Sequence, residues 1–382
     1  MMLNGKRIFL SVMIALLLVL VSTNFKLEIM DGPKLLWHSK KSSADSTKRS
    51  HTNESNIDVR GIYLNRTALK EENFEEYIDL VKSTELNAVV MDVKDDFGKL
   101  TYNSNSKTAT SIGADQEPTV HDMQNLVNRL KKEGIYTIAR IVVFKDPLLA
   151  EQKSDFAIKK KDGRIWQDDQ NVKWIDPYKR EVWEYMFDIS EEVAAFGFDE
   201  IQYDYIRFPD NAAQVDQEVA FDNPSGQSKS DNVIAFLQHA HKRLDAYSVQ
   251  LSADVFGLVT TARDDMGIGQ KWEEIASYVD YISPMAYPSH YAEGSYGIDH
   301  PDDHPYDVMK HAIQDARERN ETLKKKGKNP AIIRPWIQDF DFGRNYTAKD
   351  VRKQIKALNE LGITQYLAWN AASEYNDAAY RR

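Results

Sequence analysis

Aspartates fall late in several short apolar segments of this chain. Asp204 follows EIQY at 200–203, Asp254 lies in LSADVF at 251–256, and Asp92 lies in AVVMDV at 88–93. Two carboxyl groups that face one pocket can hydrolyse a glycosidic bond: one protonates the leaving oxygen, and the other attacks the anomeric carbon or activates water. Neighbouring carboxylates also raise one another's pKa, which helps to keep the acid protonated near neutral pH. We therefore expect Asp204 to be the nucleophile or principal catalytic carboxylate, with Asp254 as its acid/base partner.

Several other side chains are candidates for holding a sugar. Arg207 comes three residues after the principal aspartate, and we expect it to orient or charge-pair that carboxylate. Tyr287 and Trp369 would position the sugar, while Asp92 and Asp339 would bind its hydroxyl groups. Three further acids are interpreted as helix caps or partners in loop ion pairs: Asp95, Asp96 and Asp341.

The alternation of side chains along a strand assigns the acids of the 200–206 segment to different places. Successive strand residues point to opposite faces. The apolar set should pack on helices, so the other set should face the interior, with Glu200 deep and Asp204 near the rim. A carboxylate at the C-terminal end of a parallel barrel strand lies where such barrels keep their chemistry.

Eight apolar runs predict the strands that would position these residues. Continuous apolar runs are typical of strands covered on both faces. Amphipathic stretches alternate with them, which predicts right-handed βαβ units and a (β/α)8 barrel. Long insertions follow predicted strands 2, 3, 4 and 6. A doubly wound open sheet is the alternative, but the chain has no glycine-rich phosphate turn after its first strand. The predicted strands are 60–65, 88–93, 136–144, 200–206, 251–256, 281–286, 331–338 and 366–369.

The segment GFDEIQYDYIRFP at 197–209 resembles the fourth-strand motif of bacterial glycoside-hydrolase-like barrels. WIDP at 174–177 and YISPMAY at 281–287 also resemble these families, the latter being similar to the sixth strand of chitinase-like barrels. Over residues 58–380 the chain resembles the putative glycosyl hydrolase domain of exported bacterial proteins. The resemblance implies a TIM barrel acting on polysaccharide, with Asp204 in the position of the α-amylase-like nucleophile and Trp369 in the floor under the sugar. It adds Asp176 to the expected substrate-binding residues.

At one position the chain departs from the pattern of these families, and this leaves open whether the barrel is catalytic. Asp254 stands where α-amylase-like barrels carry a glutamate acid on the fifth strand. A non-catalytic carbohydrate-binding barrel, tethered outside the cell, is therefore the alternative to a glycoside hydrolase.

The N-terminus carries the pattern of an export signal. Lys6 and Arg7 precede an apolar run from 8 to 21, which is short for a membrane span but suits a signal segment. We expect 1–23 to be a signal peptide or uncleaved membrane anchor, 24–57 a flexible stem, and 58–382 the barrel. The protein would then lie outside the cytoplasm, anchored or secreted, in a Gram-positive bacterium.

Composition excludes several classes of function. The net charge is −10, which argues against nucleic-acid binding because phosphate contacts need clustered Lys and Arg. The absence of cysteine excludes disulfides, thiolate metal sites and a cysteine nucleophile. We expect no cofactor or metal, and a monomer. A metal-dependent hydrolase that uses His300 and His304 of the HPDDHP segment is a third possibility.

Overall fold

In the part of the chain that the structure describes, nine short strands form one parallel sheet that closes on itself. The computed structural model describes residues 57–381, so the predicted export segment and nearly all of the predicted stem lie outside the described residues. The strand order is β5-β4-β3-β2-β1-β9-β8-β6-β7, and a further pairing of β5 with β6 closes the barrel. The strands are β1 Arg60–Leu64, β2 Ala88–Lys94, β3 Tyr136–Val142, β4 Glu200–Asp204, β5 Gln250–Phe256, β6 Tyr281–Met285, β7 Ile332–Ile333, β8 Trp336–Gln338 and β9 Tyr366–Trp369.

The barrel has eight wall positions because β7 and β8 share one of them. Both pair with β6, and β8 also pairs with β9. Pro335 lies between them, and a proline cannot donate to a strand ladder. The predicted strand 331–338 is thus two strands, and the (β/α)8 prediction is confirmed.

Within residues 57–381, ten α-helices surround or cap the barrel. The amphipathic stretches expected between the strands are helical, and three short helices, α2, α4 and α6, lie in the insertions that follow β2, β3 and β4. The helices are α1 Glu71–Ser83, α2 Lys107–Ile112, α3 Met123–Lys132, α4 Pro147–Gln152, α5 Arg180–Ala195, α6 Ala212–Glu218, α7 Lys229–Leu244, α8 Trp272–Ile275, α9 Pro305–Lys325 and α10 Ala348–Glu360. Within residues 57–381, no helix is long and apolar enough to cross a membrane.

The alternation predicted for β4 is present in the structure. Ile201 and Tyr203 belong to the large apolar cluster between the strands and the helices. Glu200 is fully buried and forms an ion pair with Arg334, which lies between β7 and β8. Its Oε2 also accepts from the Tyr136 hydroxyl at 3.2 Å. A smaller apolar cluster lies on the inward faces of the strands: Val59, Tyr63, Ala88, Val90, Tyr136, Ile138, Tyr287, Trp336 and Leu367.

The loop after β2 is held close to the loop after β3. Lys94 and Asp146 are both fully buried and form an ion pair of 2.9 Å. Gly98 adopts a φ of +80°, and a Cβ atom there would lie 2.1 Å from Asp146 Oδ1. Only glycine permits this close approach, which keeps the exit of β2 next to that of β3.

Candidate active site

Arg140 is the centre of an ion-pair network at the C-terminal end of the barrel. It lies on β3 and is 1 % exposed. Its guanidinium donates to Asp92 Oδ1 at 2.7 Å, to Asp204 Oδ2 at 2.6 Å and to Asp96 Oδ2 at 3.1 Å. The strand register makes this possible, because Asp92 lies opposite Arg140 on β2 while Asp204 lies opposite Val142 from β4. One cation therefore compensates three carboxylates that come from two strands and one loop.

Asp204 is fixed through both carboxylate oxygens. Arg140 donates to Oδ2 from Nη2 at 2.6 Å and from Nε at 3.0 Å. Oδ1 accepts from the backbone N–H of Tyr205 at 2.7 Å. Tyr205 has a φ of 50°, in the left-handed region that a bulky residue rarely occupies. Such strain often accompanies a functional site, and here it ends β4 at Asp204 instead of at residue 206.

Asp254 lies in a different environment. It is 1 % exposed, and its Oδ1 accepts from the indole N–H of Trp336 at 2.7 Å. Burial raises the pKa of Asp254 well above its usual range, and the negative charge of Asp204 raises that pKa further. The structure thus brings the two predicted catalytic residues close enough to interact, one ion-paired and the other favouring its protonated form.

Asp92 supports the network from below the rim. Its Oδ2 accepts from the Tyr63 hydroxyl at 2.5 Å, and Arg140 occupies Oδ1. Burial raises the pKa of Asp92 to about 7, although the charge of Arg140 opposes this effect. With both oxygens engaged by protein donors, Asp92 holds Arg140 in place.

Asp96 belongs to the same network at its solvent-facing edge. Its side chain is 28 % exposed and accepts from Lys145 Nζ at 3.4 Å as well as from Arg140. Burial raises the pKa of Asp96, but the charges of Arg140 and Lys145 outweigh it, so the pKa lies below its usual value. The sequence-based interpretation of Asp96 as part of a loop ion pair is confirmed, and that pair reaches the central cluster.

Aromatic rings border the cluster. Trp369 stacks on Tyr63 with ring centroids 4.1 Å apart and meets Trp336 edge-on at 5.5 Å. Burial raises the pKa of Tyr287 well above its usual range, and the charges of Asp254 and Asp204 add to that effect. Tyr287 and Trp369 therefore lie beside the carboxylates, in agreement with their predicted location.

The prediction that Arg207 orients or pairs with Asp204 is wrong. Arg207 forms its ion pair with Asp210 and packs against Phe256, its guanidinium carbon lying 4.3 Å from the ring centroid. The chain has already turned at Tyr205, so Arg207 points away from the carboxylate before it. Arg140, on the neighbouring strand, takes the expected role.

Two other predicted substrate-binding acids are engaged by the protein. Asp176 accepts backbone N–H groups of Tyr178 at 3.0 Å and Asp222 at 2.8 Å, so it joins two loops. Asp339 accepts from the Tyr380 hydroxyl at 2.7 Å, and burial raises its pKa to about 6. Their contacts with substrate remain predictions.

The remaining acids and histidines singled out in the sequence have local partners. Asp95 forms a loop ion pair with Arg66 at 2.8 Å, as interpreted from the sequence, whereas Asp341 accepts the backbone N–H of Tyr346 at 2.6 Å within its own loop instead of capping a helix. His300 lies 3.5 Å from Glu293, whereas His304 lies 3.4 Å from Asp307. In the described part of the chain, no group of three or more metal-ligating side chains is found.

A family model described as "putative glycosyl hydrolase domain" matches residues 61–375. The chain belongs to this family. The match covers all barrel strands except the first residue of β1, and it includes the Arg140 network and Asp254. No curated protein matches the chain.

Two of the solved structures that are similar to this glycosyl hydrolase domain share its fold. The PgaB (BpsB) glycoside hydrolase domain from Bordetella bronchiseptica has a TM-score of 0.60 and 14 % identity, covering 85 % of this chain and 99 % of that one. Alpha-L-fucosidase isoenzyme 2 from Paenibacillus thiaminolyticus has a TM-score of 0.53 and 12 % identity, covering 85 % and 48 %. A hypothetical protein from Ruminiclostridium thermocellum is 36 % identical over 54 % of this chain and 98 % of its own, with a TM-score of 0.46.

Sequence reasoning missed Arg140, the residue that organises this domain's carboxylates. A signal was present, because Arg140 is the only charged residue in the run YTIARIVVF at 136–144. A charge inside a buried strand needs a partner of opposite charge. The acids on the neighbouring strands were therefore its expected partners.

Proposed function

We propose that this protein is a glycoside hydrolase that cleaves a polysaccharide with Asp204 and Asp254 as its catalytic pair. The observation that carries the proposal is the contrast between two neighbouring carboxyl groups. Asp204 is ion-paired with Arg140, while burial raises the pKa of Asp254 well above its usual range. Two carboxyl groups held in such different environments commonly divide acid and base roles.

The division of roles follows from these environments. Asp254 would donate its proton to the leaving oxygen of the scissile bond. Asp204 would attack the anomeric carbon or activate a water molecule. Arg140 orients Asp204 through two hydrogen bonds to Oδ2, and Trp369 and Tyr287 would position the sugar ring.

We place the reaction outside the cytoplasm. Support comes from the basic and apolar pattern of residues 1–23, which is typical of an export signal. The substrate would then be a polysaccharide of the cell wall or extracellular matrix, with the N-terminal segment as the link to the membrane. Recovery of the full chain in the cytoplasmic fraction of its host would overturn this placement.

The hydrolase proposal is tested by release of reducing ends from cell-envelope polysaccharides incubated with the full chain. We expect release by the wild type and its loss in Asp204→Asn. Asp155→Asn is the matched control, because the Asp155 side chain is 92 % exposed and takes part in no site contact. Undiminished release by Asp204→Asn would exclude the catalytic assignment.

One observation favours the alternative of a non-catalytic carbohydrate-binding barrel. Asp254 is 1 % exposed and its Oδ1 is occupied by Trp336, whereas a general acid must reach the leaving oxygen. If this alternative holds, a polysaccharide in the gel slows the migration of the wild type in affinity electrophoresis, but the wild type releases no reducing ends from it. The migration of Asp254→Asn would then be slowed to the same extent.

A further inference from the structure

A pocket of about 220 Å³ lies beside the carboxylate cluster, between the loops that follow β3 and β4. Two of its lining residues, Lys145 and Tyr205, also touch the cluster. Tyr205 follows Asp204 directly, and Lys145 donates to Asp96. The pocket therefore begins where the proposed catalytic site ends.

Arg207 lines this pocket with unpaired hydrogen-bond donors. The residue is 4 % exposed, and only its Nη1 has protein acceptors, the Phe208 carbonyl oxygen at 3.0 Å and Asp210. Within residues 57–381, Nε and Nη2 have no hydrogen-bond partner, although both still meet solvent. These two nitrogens carry three N–H groups. Because both nitrogens open to the pocket, they can donate to a ligand acceptor in place of water.

The other charges of the pocket disfavour an anionic ligand. Asp210 already neutralises Arg207, and Asp96 pairs with Lys145. Asp169 is exposed, and only its Oδ2 is bonded, accepting from the Asn211 amide at 3.2 Å. A carboxylate or phosphate entering the pocket would meet these acids, so the wall suits a neutral ligand.

Neutral sugars match what the pocket offers. A sugar hydroxyl both donates and accepts, so it can accept from Arg207 and donate to Asp169. Trp174 and Tyr205 add aromatic surface, meeting edge-on with centroids 5.7 Å apart. The volume of about 220 Å³ is below the range of about 300–1,000 Å³ typical of drug-sized ligands, as expected for one ring.

We propose that this pocket is a subsite for one neutral pyranose residue, adjacent to the sugar whose bond is cleaved. The inference rests on the proposed hydrolase function for its place in the reaction. Arg207 would hold the acceptor oxygens of this sugar, which keeps the residue in the substrate-binding set but in a role different from its predicted pairing with Asp204. Chains of at least two sugar residues would then be preferred as substrates.

A blocking substitution at the exposed edge of the pocket tests the proposal. Gln214 lies on α6, is exposed and lines the pocket, so Gln214→Trp should fill it at the cost of one hydrogen bond, from Gln214 to Glu218 at 3.0 Å. Gln217 is exposed on the same helix and does not line the pocket, which makes Gln217→Trp the matched control. Both are made in the full chain carrying Asp204→Asn.

Binding is measured by saturation-transfer NMR with glucose, galactose, mannose, N-acetylglucosamine, N-acetylgalactosamine and glucuronate. We expect at least one neutral sugar to bind, with its affinity lowered at least about tenfold by Gln214→Trp, as for loss of hydrogen bonds to a charged group, and unchanged by Gln217→Trp. The proposal is overturned if no neutral sugar binds, if glucuronate binds more tightly than all of them, or if both tryptophan variants bind equally.

The two proposals can fail separately. If the wild type releases no reducing ends but the pocket still binds a neutral sugar that Gln214→Trp displaces, the hydrolase proposal alone is refuted. If the wild type cleaves polysaccharide and Gln214→Trp, placed in the otherwise wild-type chain, cleaves it as fast as Gln217→Trp, the subsite is refuted while the hydrolase proposal stands.

Discussion

Replacing Arg140 by methionine should be one of the most damaging single substitutions in the barrel. Methionine is unbranched and apolar, so it retains part of the packing while removing the charge. Three carboxylates would lose their shared counter-charge: Asp92, Asp96 and Asp204. Asp96 can turn to solvent, since its side chain is 28 % exposed.

The magnitude follows from the burial of the other two carboxylates. The Asp92 and Asp204 side chains are 2 % and 7 % exposed, so water cannot replace the guanidinium. Removing one partner of a buried ion pair costs about 3–5 kcal/mol, because the other charge stays buried and unpaired. Arg140→Met should lower the free energy of unfolding by about this amount.

A second substitution separates lost charge compensation from lost packing. Without Arg140, Asp92 must either remain a buried anion or take up a proton, and Asp92→Asn removes that cost, so the Arg140→Met/Asp92→Asn double variant should be less destabilised than the sum of the single variants. Coupling within such networks is about 0.5–3 kcal/mol. Additive effects would show that Arg140 contributes by packing alone.

Urea unfolding followed by tryptophan fluorescence measures these free energies. Arg129→Met is the control, because Arg129 pairs with Glu75 on the surface, where both side chains are well exposed and the pair contributes little. A loss of less than about 1 kcal/mol in Arg140→Met, the range of exposed pairs, would refute the reasoning.

Three further predictions concern other buried groups. The Trp336 hydrogen bond lowers the pKa of Asp254 against the larger effect of burial, so Trp336→Phe should move the alkaline limb of kcat/KM to higher pH; an unmoved limb would contradict this. Burial raises the pKa of Asp339 from 3.8 to about 6. The contribution of this side chain to folding stability is therefore fully present below pH 3.8 and is lost as the pH rises through about 6. Wild-type unfolding free energy should therefore fall more than that of Asp339→Asn across this window, and parallel pH curves would exclude the effect. Lys94→Met leaves the fully buried Asp146 without its ion-pair partner and should lower the free energy of unfolding in urea by about 3–5 kcal/mol. An unchanged free energy would show that Asp146 finds another partner.

The barrel could be predicted because its signals are local. The strands are short and mostly apolar, and within residues 57–381 a helix separates every two consecutive strands except β7 and β8. The two-residue period of a strand also placed Glu200 inward and Asp204 at the rim. A break in the seventh strand could have been expected too, since Pro335 lies within the predicted run and proline interrupts strand ladders.

The contacts of the site were harder to predict because they depend on backbone turns and strand register. Nothing in the sequence indicates that Tyr205 adopts a φ of 50°, yet the backbone turn at this residue directs Arg207 away from Asp204. Arg140 reaches Asp92 and Asp204 only in the register that the barrel imposes. The loop after β3 likewise folds so that Asp176 joins two segments distant in sequence.

The most direct test of the catalytic pair is kcat/KM for Asp204→Asn, Asp254→Asn and the double variant, on the polysaccharide that the wild type degrades. We expect each single substitution to lower kcat/KM by about a thousandfold, within the range for a general acid or base. The double variant should be no worse than the poorer single variant, because residues that act as a unit are not additive. A single variant that keeps a tenth of wild-type activity, or a double variant whose loss is the product of the two single losses, would contradict the assignment.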